Sequence, residues 1–274
     1  MGMDQELYTA SSAIITSVRN FCQQHIINEI LPSPIAPRLE FPVEKSFFIG
    51  NEEFPELILP ASNSFQKQLA SQYLGNVFCI APCYRREQQL IPRSLLHKIV
   101  FHQIEIELKQ ASMSTAMDYA QLLLQFIISE FPIELRKIDN NIFSKINTID
   151  LSQQDNLLHS INSYDEWASN ISGEIACPHW IIHTPQTILP CLNKNYGEKL
   201  SLGFDMILPF GFGELISGGE RDKSQLMNFY GKDFQIDTNN KSSGFGVGFE
   251  RLIAFILQIP YLKVITLPHH RGSD

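Results

Sequence analysis

Two stretches, Cys83-Tyr84-Arg85-Arg86-Glu87 and Phe101-His102-Gln103-Ile104-Glu105-Ile106-Glu107-Leu108, flank a polar, basic segment from Gln88 to Lys98. Each stretch alternates apolar and polar residues with period two, which predicts a strand. Pro92 predicts a loop between them. The same period assigns faces: Arg85 and Glu87 share one side of the first strand, and Gln103, Glu105 and Glu107 share one side of the second. Charge gathered on one side of a sheet suits a binding site. An amphipathic hairpin with one wet face would show the same alternation.

A second stretch lies far downstream. Gly244-Phe245-Gly246-Val247-Gly248-Phe249-Glu250-Arg251-Leu252 runs from alternating glycines into an apolar helix, Arg251 to Leu257. Glycines there let a flat ligand approach the backbone, and an Arg at the helix start can meet a phosphate through two hydrogen bonds. A third stretch runs from Phe204-Asp205 through Gly213-Glu214 and Ser217-Gly218-Gly219-Glu220-Arg221. A fourth is Ser62-Asn63-Ser64-Phe65-Gln66-Lys67-Gln68-Leu69.

In this order the four stretches resemble the class II aminoacyl-tRNA synthetases of the aspartyl/asparaginyl branch, whose motifs 2 and 3 the first two stretches match. The resemblance covers the chain from about Ser11 to Arg271. It implies an α+β fold, an antiparallel sheet flanked by helices, forming a single catalytic domain over residues 1–274. It implies an AMP-forming ligase that makes an acyl-adenylate from ATP and an amino acid, with Mg2+ as cofactor. Arg85 would hold the α-phosphate and the attacking carboxylate, and Arg251 the γ-phosphate. Glu87 would accept from the adenine amino group and Phe101 would stack on the ring, with Gly248 beside the nucleotide. Glu214 and Asp205 would bind the metal, with Ser217 a further contact. On the amino-acid side, Lys67 and Arg221 would hold a side-chain carboxylate or amide, and Glu105 the ammonium, with Gln103, Ser64 and Gly246 alongside. For Arg221 the alternative is a surface ion pair with Glu220 or Asp222.

The chain departs from the branch in three places. Ser64 stands where the synthetases keep a Gln. The segment between Pro34 and Phe41 is too short for their flipping loop. The loop of the first hairpin is longer than theirs, so Arg93 and His97 align only loosely. On this reading no counterpart of the branch's anticodon-binding domain, which precedes the core, is expected. The expected substrate is aspartate-like, with ammonia as acceptor and asparagine as product, as the stand-alone archaeal asparagine synthetase-related proteins suggest. They also carry Gly-Gly-Glu-Arg, here Gly218 to Arg221. A stand-alone paralogue activating another amino acid, and a non-catalytic amino-acid-binding regulator, are the competing readings.

Composition agrees with a cytoplasmic enzyme. The 274 residues are 44% hydrophobic, enough for a sizeable core, and carry a net charge of −8. An acidic chain disfavours nonspecific nucleic-acid binding, so tRNA is not expected as a partner. No run approaches the ~18 apolar residues of a membrane span, and no signal peptide is evident. The five cysteines form no Cys-x-x-Cys pair and read as thiols in a reducing compartment. His179 and His183 lack a third ligand nearby and read as structural.

The rest of the chain is punctuated by helices. Apolar positions 14, 15, 18, 21, 22, 26 and 27 predict a helix over Thr9 to Glu29. By the resemblance this segment, with the prolines that follow, forms a homodimer interface between about Ser11 and Ile35. Further helices are expected over Ser62–Leu74, Thr115–Phe131 and Asp222–Tyr230. Strands are expected over 41–49, 56–59, 180–183 and 202–209. Residues 133–172 show no functional signal.

Overall fold

In the computed structural model the described residues are 2–37, 46–54, 57–85, 98–154, 164–186, 193–224 and 241–264. Glu87, Arg93, His97, most of the expected 222–230 helix and the last ten residues lie outside them.

The helices are α1 (Met3–Gln24), α2 (Ser64–Leu74), α3 (Met113–Glu130), α4 (Tyr164–Glu174) and α5 (Phe249–Leu257). The strands of the main sheet are β1 (Asn28–Glu29), β5 (Val77–Tyr84), β6 (Val100–Lys109), β7 (Asn147–Asp150), β8 (His179–Ile182), β11 (Gly203–Leu208), β12 (Gly213–Glu220) and β13 (Ser242–Gly248). Small satellite sheets hold β2 (Ala36–Pro37), β3 (Phe47–Phe48), β4 (Leu57–Leu59), β9 (Asn195–Tyr196) and β10 (Leu200–Ser201).

The main sheet runs β1-β5-β6-β13-β12-β11-β8-β7. Its interior pairs are all antiparallel, as expected. Its two edge pairs, β1 with β5 and β7 with β8, are parallel, so the sheet is mixed. Both parallel pairs are joined through a helix, α2 in one case and α4 in the other. A hairpin turn cannot join parallel strands; a crossover can.

The period-two pattern of β6 sorts the sheet into two faces. Ile104, Ile106 and Leu108, with Phe245 and Val247 of β13 and Phe204 and Met206 of β11, are buried in one core cluster with residues of α1, α3 and α5. Gln103, Glu105 and Glu107 face the other way, opposite Gly248, Gly246 and Gly244. That second face is flanked by α2, which packs on β5 and β6, and by α4, which packs on β11 and β12.

α1 begins and ends earlier than its apolar stripe implies. Asp4 and Glu6 sit in its first turn, where carboxylates favour the positive end of the helix dipole. It stops at Gln24, and Asn28 and Glu29 join the sheet instead: the amides of Asn28 and Ile30 donate to the carbonyls of Asn76 and Phe78, both at 2.9 Å. The stripe itself, Leu7, Ala10, Ile14, Val18, Phe21 and Cys22, is buried inside the chain against α3. It is therefore internal packing and does not itself provide a surface for a second copy. Ile26, Leu31 and Ile35 remain exposed nearby.

Residues 133–172 are not merely surface cover. They supply β7 to the sheet and α4 to the site face. Four cysteines are described: Cys22, Cys79 and Cys83 are buried, Cys177 is half-buried, and all four are free thiols. Among the described residues no helix is long and apolar enough to cross a membrane.

Candidate active site

Between the β5–β6 hairpin and the start of α5 lies a narrow cleft of about 60 Å³. It is lined by Arg85, Lys98, Phe101, Gln103, Glu214, Leu215, Gly246, Gly248, Arg251 and Tyr261. A larger, open hollow outside α1 carries a carboxylate, Glu130, and no cation. The chemistry therefore converges on the smaller cleft.

Arg85 leaves the end of β5. Its Nε donates to the Ala61 carbonyl at 3.1 Å, and its guanidinium lies 4.9 Å from the centre of the Phe101 ring. An Arg over a phenyl face is held by the ring quadrupole without losing all its donors. Arg251 enters from the first turn of α5. It donates to the Phe212 carbonyl at 2.8 Å and lies 4.8 Å from the Tyr261 ring centre. Its neighbour Glu250 is buried and accepts from the His102 backbone amide at 2.9 Å and from His102 Nδ1, also at 2.9 Å. Glu250 thus ties the start of α5 to β6, which aims Arg251 into the cleft.

The expected metal residues are adjacent but not equivalent. Glu214 lines the cleft. Asp205 is buried one strand over, accepts from the Tyr164 hydroxyl at 2.6 Å and is hydrogen-bonded by Ser217. Burial pushes the Asp205 carboxyl up to about 6, against the two hydroxyl hydrogen bonds. Burial, then the negative charge of Asp205, pushes Glu214 up to about 8, against the Arg251 guanidinium. Both carboxyls are raised chiefly by burial, and the charge of Asp205 adds to the shift of Glu214. Among the described residues no group of three or more His, Cys, Asp or Glu side chains gathers as a metal cluster. A hard cation that takes one or two carboxylates and completes its shell with phosphate oxygens fits Glu214 and Asp205.

Beyond the cleft the same face carries two buried ion pairs. Lys67 of α2 donates to Glu105 and, at 3.0 Å, to the Phe245 carbonyl. Glu105 also accepts from Ser62 Oγ at 3.2 Å and the Asn63 amide at 3.3 Å. Burial would raise the Glu105 carboxyl, but the Lys67 ammonium, together with the Arg221 guanidinium and the Asn63 amide, holds the group below its usual range. Arg221 donates to both oxygens of Glu107 at 3.2 and 3.3 Å and to Asn193 Oδ1 at 3.1 Å. Arg221 is 6% exposed and Glu107 fully buried, so the alternative of a surface pair with Glu220 or Asp222 is overturned. Gly244 makes room for Glu107: a Cβ there would lie 2.0 Å from Glu107 Oε2.

The structure thus brings Arg85, Phe101, Gln103, Glu214, Gly246, Gly248 and Arg251 to one cleft, with Lys67, Glu105 and Arg221 on the same face of the sheet. Ser64 reaches Glu105 only through Ser62, whose hydroxyl lies 2.8 Å from its own. Sequence reasoning missed Lys98, Ser62, Tyr164, Glu250 and Tyr261 as members of the surroundings. For Glu250 the signal was its place beside Arg251; for the others the sequence offered none. His179 bonds the Cys177 carbonyl, and His183 bonds Asp150 at 2.6 Å and stacks on Tyr196, consistent with structural roles.

Comparison with known proteins supports the resemblance. Residues 3–237 match the family described as tRNA synthetases class II (D, K and N). An asparagine–tRNA ligase of Desulforamulus reducens is 25% identical over 248 residues, 78% of this chain and 57% of that protein. One of Thermococcus gammatolerans is 24% identical over 75% of this chain and 56% of that protein. The chain therefore spans a little over half the length of these relatives. Among solved structures, asparaginyl-tRNA synthetase of Pyrococcus horikoshii, complexed with asparaginyl-adenylate, superposes with a TM-score of 0.76 at 19% identity, over 95% of this chain and 67% of that one. Aspartyl-tRNA synthetase of Entamoeba histolytica gives 0.72 at 20% identity, over 96% and 58%.

Proposed function

The chain belongs to the class II tRNA synthetases of the D, K and N group, and from that membership we propose that it is an AMP-forming ligase that activates an amino-acid carboxylate as an acyl-adenylate. The observation that carries the reading is the convergence of Arg85 and Arg251, from opposite ends of the chain, on one cleft with Phe101 and Glu214. The chemical problem is electrostatic, since a carboxylate must attack an α-phosphorus that already bears negative oxygens. Fixed, permanently charged guanidiniums lower that barrier because they need no reorganisation as charge develops.

In this reading Phe101 supports the adenine, and Arg85 holds the carboxylate against the α-phosphate. The carboxylate oxygen forms a bond to the α-phosphorus, the bond to the β-phosphate oxygen breaks, and pyrophosphate leaves with that electron pair beside Arg251. Glu214 and Asp205 would hold Mg2+, which supplies charge neutralisation to the phosphates when bound. Their raised pKa values support this, because a bound cation would stabilise the ionised form of two carboxyls that burial disfavours.

For the amino acid, the expectation from sequence is aspartate, with ammonia as the acceptor. For this product aspartate would bind with its α-carboxylate at Lys67 and Arg221 and its side-chain carboxylate at Arg85. Ammonia nitrogen would attack the side-chain acyl carbon, AMP would leave, and the nitrogen would lose a proton to solvent, giving asparagine. A specific observation favours a second reading, activation of asparagine itself. Lys67 and Arg221 are each already matched by a buried carboxylate, Glu105 and Glu107, so the pocket gains no charge balance from a second substrate carboxylate. The two sequence relatives named above are asparagine–tRNA ligases, which agrees with an amide side chain and makes tRNA the competing acceptor, although an aspartyl-tRNA synthetase shares the fold. Incubation with MgATP, ammonium and aspartate separates them. Asparagine and AMP formed together support the amidation reading; exchange with asparagine and none with aspartate supports the second.

A further inference from the structure

The described lining of the cleft holds three cations, Arg85, Lys98 and Arg251, against one carboxylate, Glu214. This surplus is local: the chain as a whole carries −8, and the neighbouring Lys67–Glu105 and Arg221–Glu107 pairs are balanced. A balanced pocket suits a neutral or zwitterionic ligand, whereas a surplus of positive charge suits a polyanion.

Lys98 is the cation that the adenylation scheme leaves without a task. Its ammonium lies 4.8 Å from the centre of the Tyr261 ring and donates to the Val264 carbonyl. The same ring lies 4.8 Å from the Arg251 guanidinium. One aromatic side chain therefore contacts two cations, and both line the same cleft. Burial lowers the Lys98 pKa, with Glu250 acting in the opposite sense. Keeping a partly buried cation here costs energy that the ring face offsets only in part. As a mere clamp between β6 and residues 261–264, Lys98 could carry any side chain that bonds a carbonyl, and its charge would be a liability. An ammonium has three donors, so the bond to Val264 leaves donors for a ligand.

We infer that Lys98 is a third phosphate-binding cation, held at the cleft by Tyr261 and Val264, that grips the departing pyrophosphate together with Arg251. The inference rests on the adenylation reading and extends it. Lys98 contacts the phosphate oxygens on which negative charge accumulates as the α–β bond breaks; Tyr261 is a positioning residue that acts through Lys98 and Arg251. Burial pushes the Tyr261 phenol up to about 12, against the neighbouring guanidinium, so it remains neutral during the reaction.

The test measures binding of inorganic pyrophosphate by calorimetry, and the KM values of pyrophosphate and amino acid in the exchange reaction, for wild type, Lys98→Ala, Lys98→Arg and Tyr261→Leu. Loss of one charge-assisted contact corresponds to about 10- to 100-fold weaker pyrophosphate binding. Lys98→Ala is expected to show that loss with an unchanged KM for the amino acid, Lys98→Arg to restore most of it, and Tyr261→Leu to follow Lys98→Ala. Thermal unfolding of each variant checks that the fold is retained. If Lys98→Ala binds pyrophosphate as wild type does, the inference is wrong while the adenylation reading stands. If its pyrophosphate and amino-acid constants move together with a lowered unfolding temperature, Lys98 is a structural clamp and the inference is wrong. If wild type neither binds pyrophosphate nor catalyses exchange, the adenylation reading falls and takes the inference with it.

Discussion

Replacing Lys67 by Met tests whether the Lys67–Glu105 pair is a permanent part of the pocket. The side chains of Lys67 and Glu105 are 0% and 2% exposed. Met matches the lysine stem in length but leaves the Glu105 carboxylate buried without its counter-ion. Breaking a buried pair in this way costs about 3–5 kcal/mol, roughly 6–20 °C in unfolding temperature for a chain of this size. The pH dependence gives the sharper signature. In the wild type the Glu105 pKa is lowered from its ordinary 4.5: burial raises it, but Lys67, together with Arg221 and the Asn63 amide, outweighs burial. Its contribution to stability is therefore present above pH 4.5 and lost as pH falls through the lowered value. In Lys67→Met burial, the largest influence, is opposed only by Arg221 and the Asn63 amide, and the folded pKa rises. The contribution then changes sense: it is present below the unfolded pKa and lost as pH rises through the raised value. The deficit of the variant should be largest near pH 7 and shrink towards pH 5. Urea denaturation of wild type, Lys67→Met, Glu105→Gln and the double variant across pH 5–8 measures this. A deficit under about 1 kcal/mol, or one independent of pH, would refute the reasoning and show a lysine free to meet a substrate carboxylate.

Arg85→Ala and Arg251→Ala should each lower the exchange rate by about 10²-fold or more, as loss of a preorganised charge-stabilising group does; steady-state exchange assays check this. Gly244→Ala places a Cβ 2.0 Å from Glu107 Oε2 and 2.5 Å from the Ile106 carbonyl. It should destabilise by about 1–3 kcal/mol through overpacking, seen as a lower urea midpoint. The protein should sediment at about twice 31.2 kDa, and Leu31→Glu, at a position 98% exposed in the single chain, should yield the monomer. A wild type that stays monomeric at micromolar concentration counts against the dimer.

The second arm of the hairpin was legible because its alternation is strict: Gln103, Glu105 and Glu107 share a face, and the intervening isoleucines enter the core. The first arm, expected over Cys83 to Glu87, is instead Val77–Tyr84, so Arg85 lies just past the strand and Glu87 outside the described residues. What alternation cannot tell is which long side chain crosses to meet a carboxylate. Glu107 and Arg221 lie on strands separated by β13, and only the glycines of β13 let their side chains meet. The extent of α1 was misread because apolar spacing continues past Gln24, whereas the backbone there is captured by β5. The stripe was legible but its partner was not, since an apolar face does not state whether α3 or a second copy covers it. The parallel edge strands are two and four residues long, too short for a periodic signal. Tyr164 meets Asp205, and Tyr261 meets Arg251 and Lys98, only through the fold, and none lies in a patterned segment.

Exchange of labelled pyrophosphate into ATP, with Mg2+ and each amino acid in turn, tests the central claim most directly. The account predicts exchange that depends on an amino acid with a short carboxylate or amide side chain, with AMP as the nucleotide product on turnover. Exchange with no amino acid, or ADP as the sole product, would contradict it.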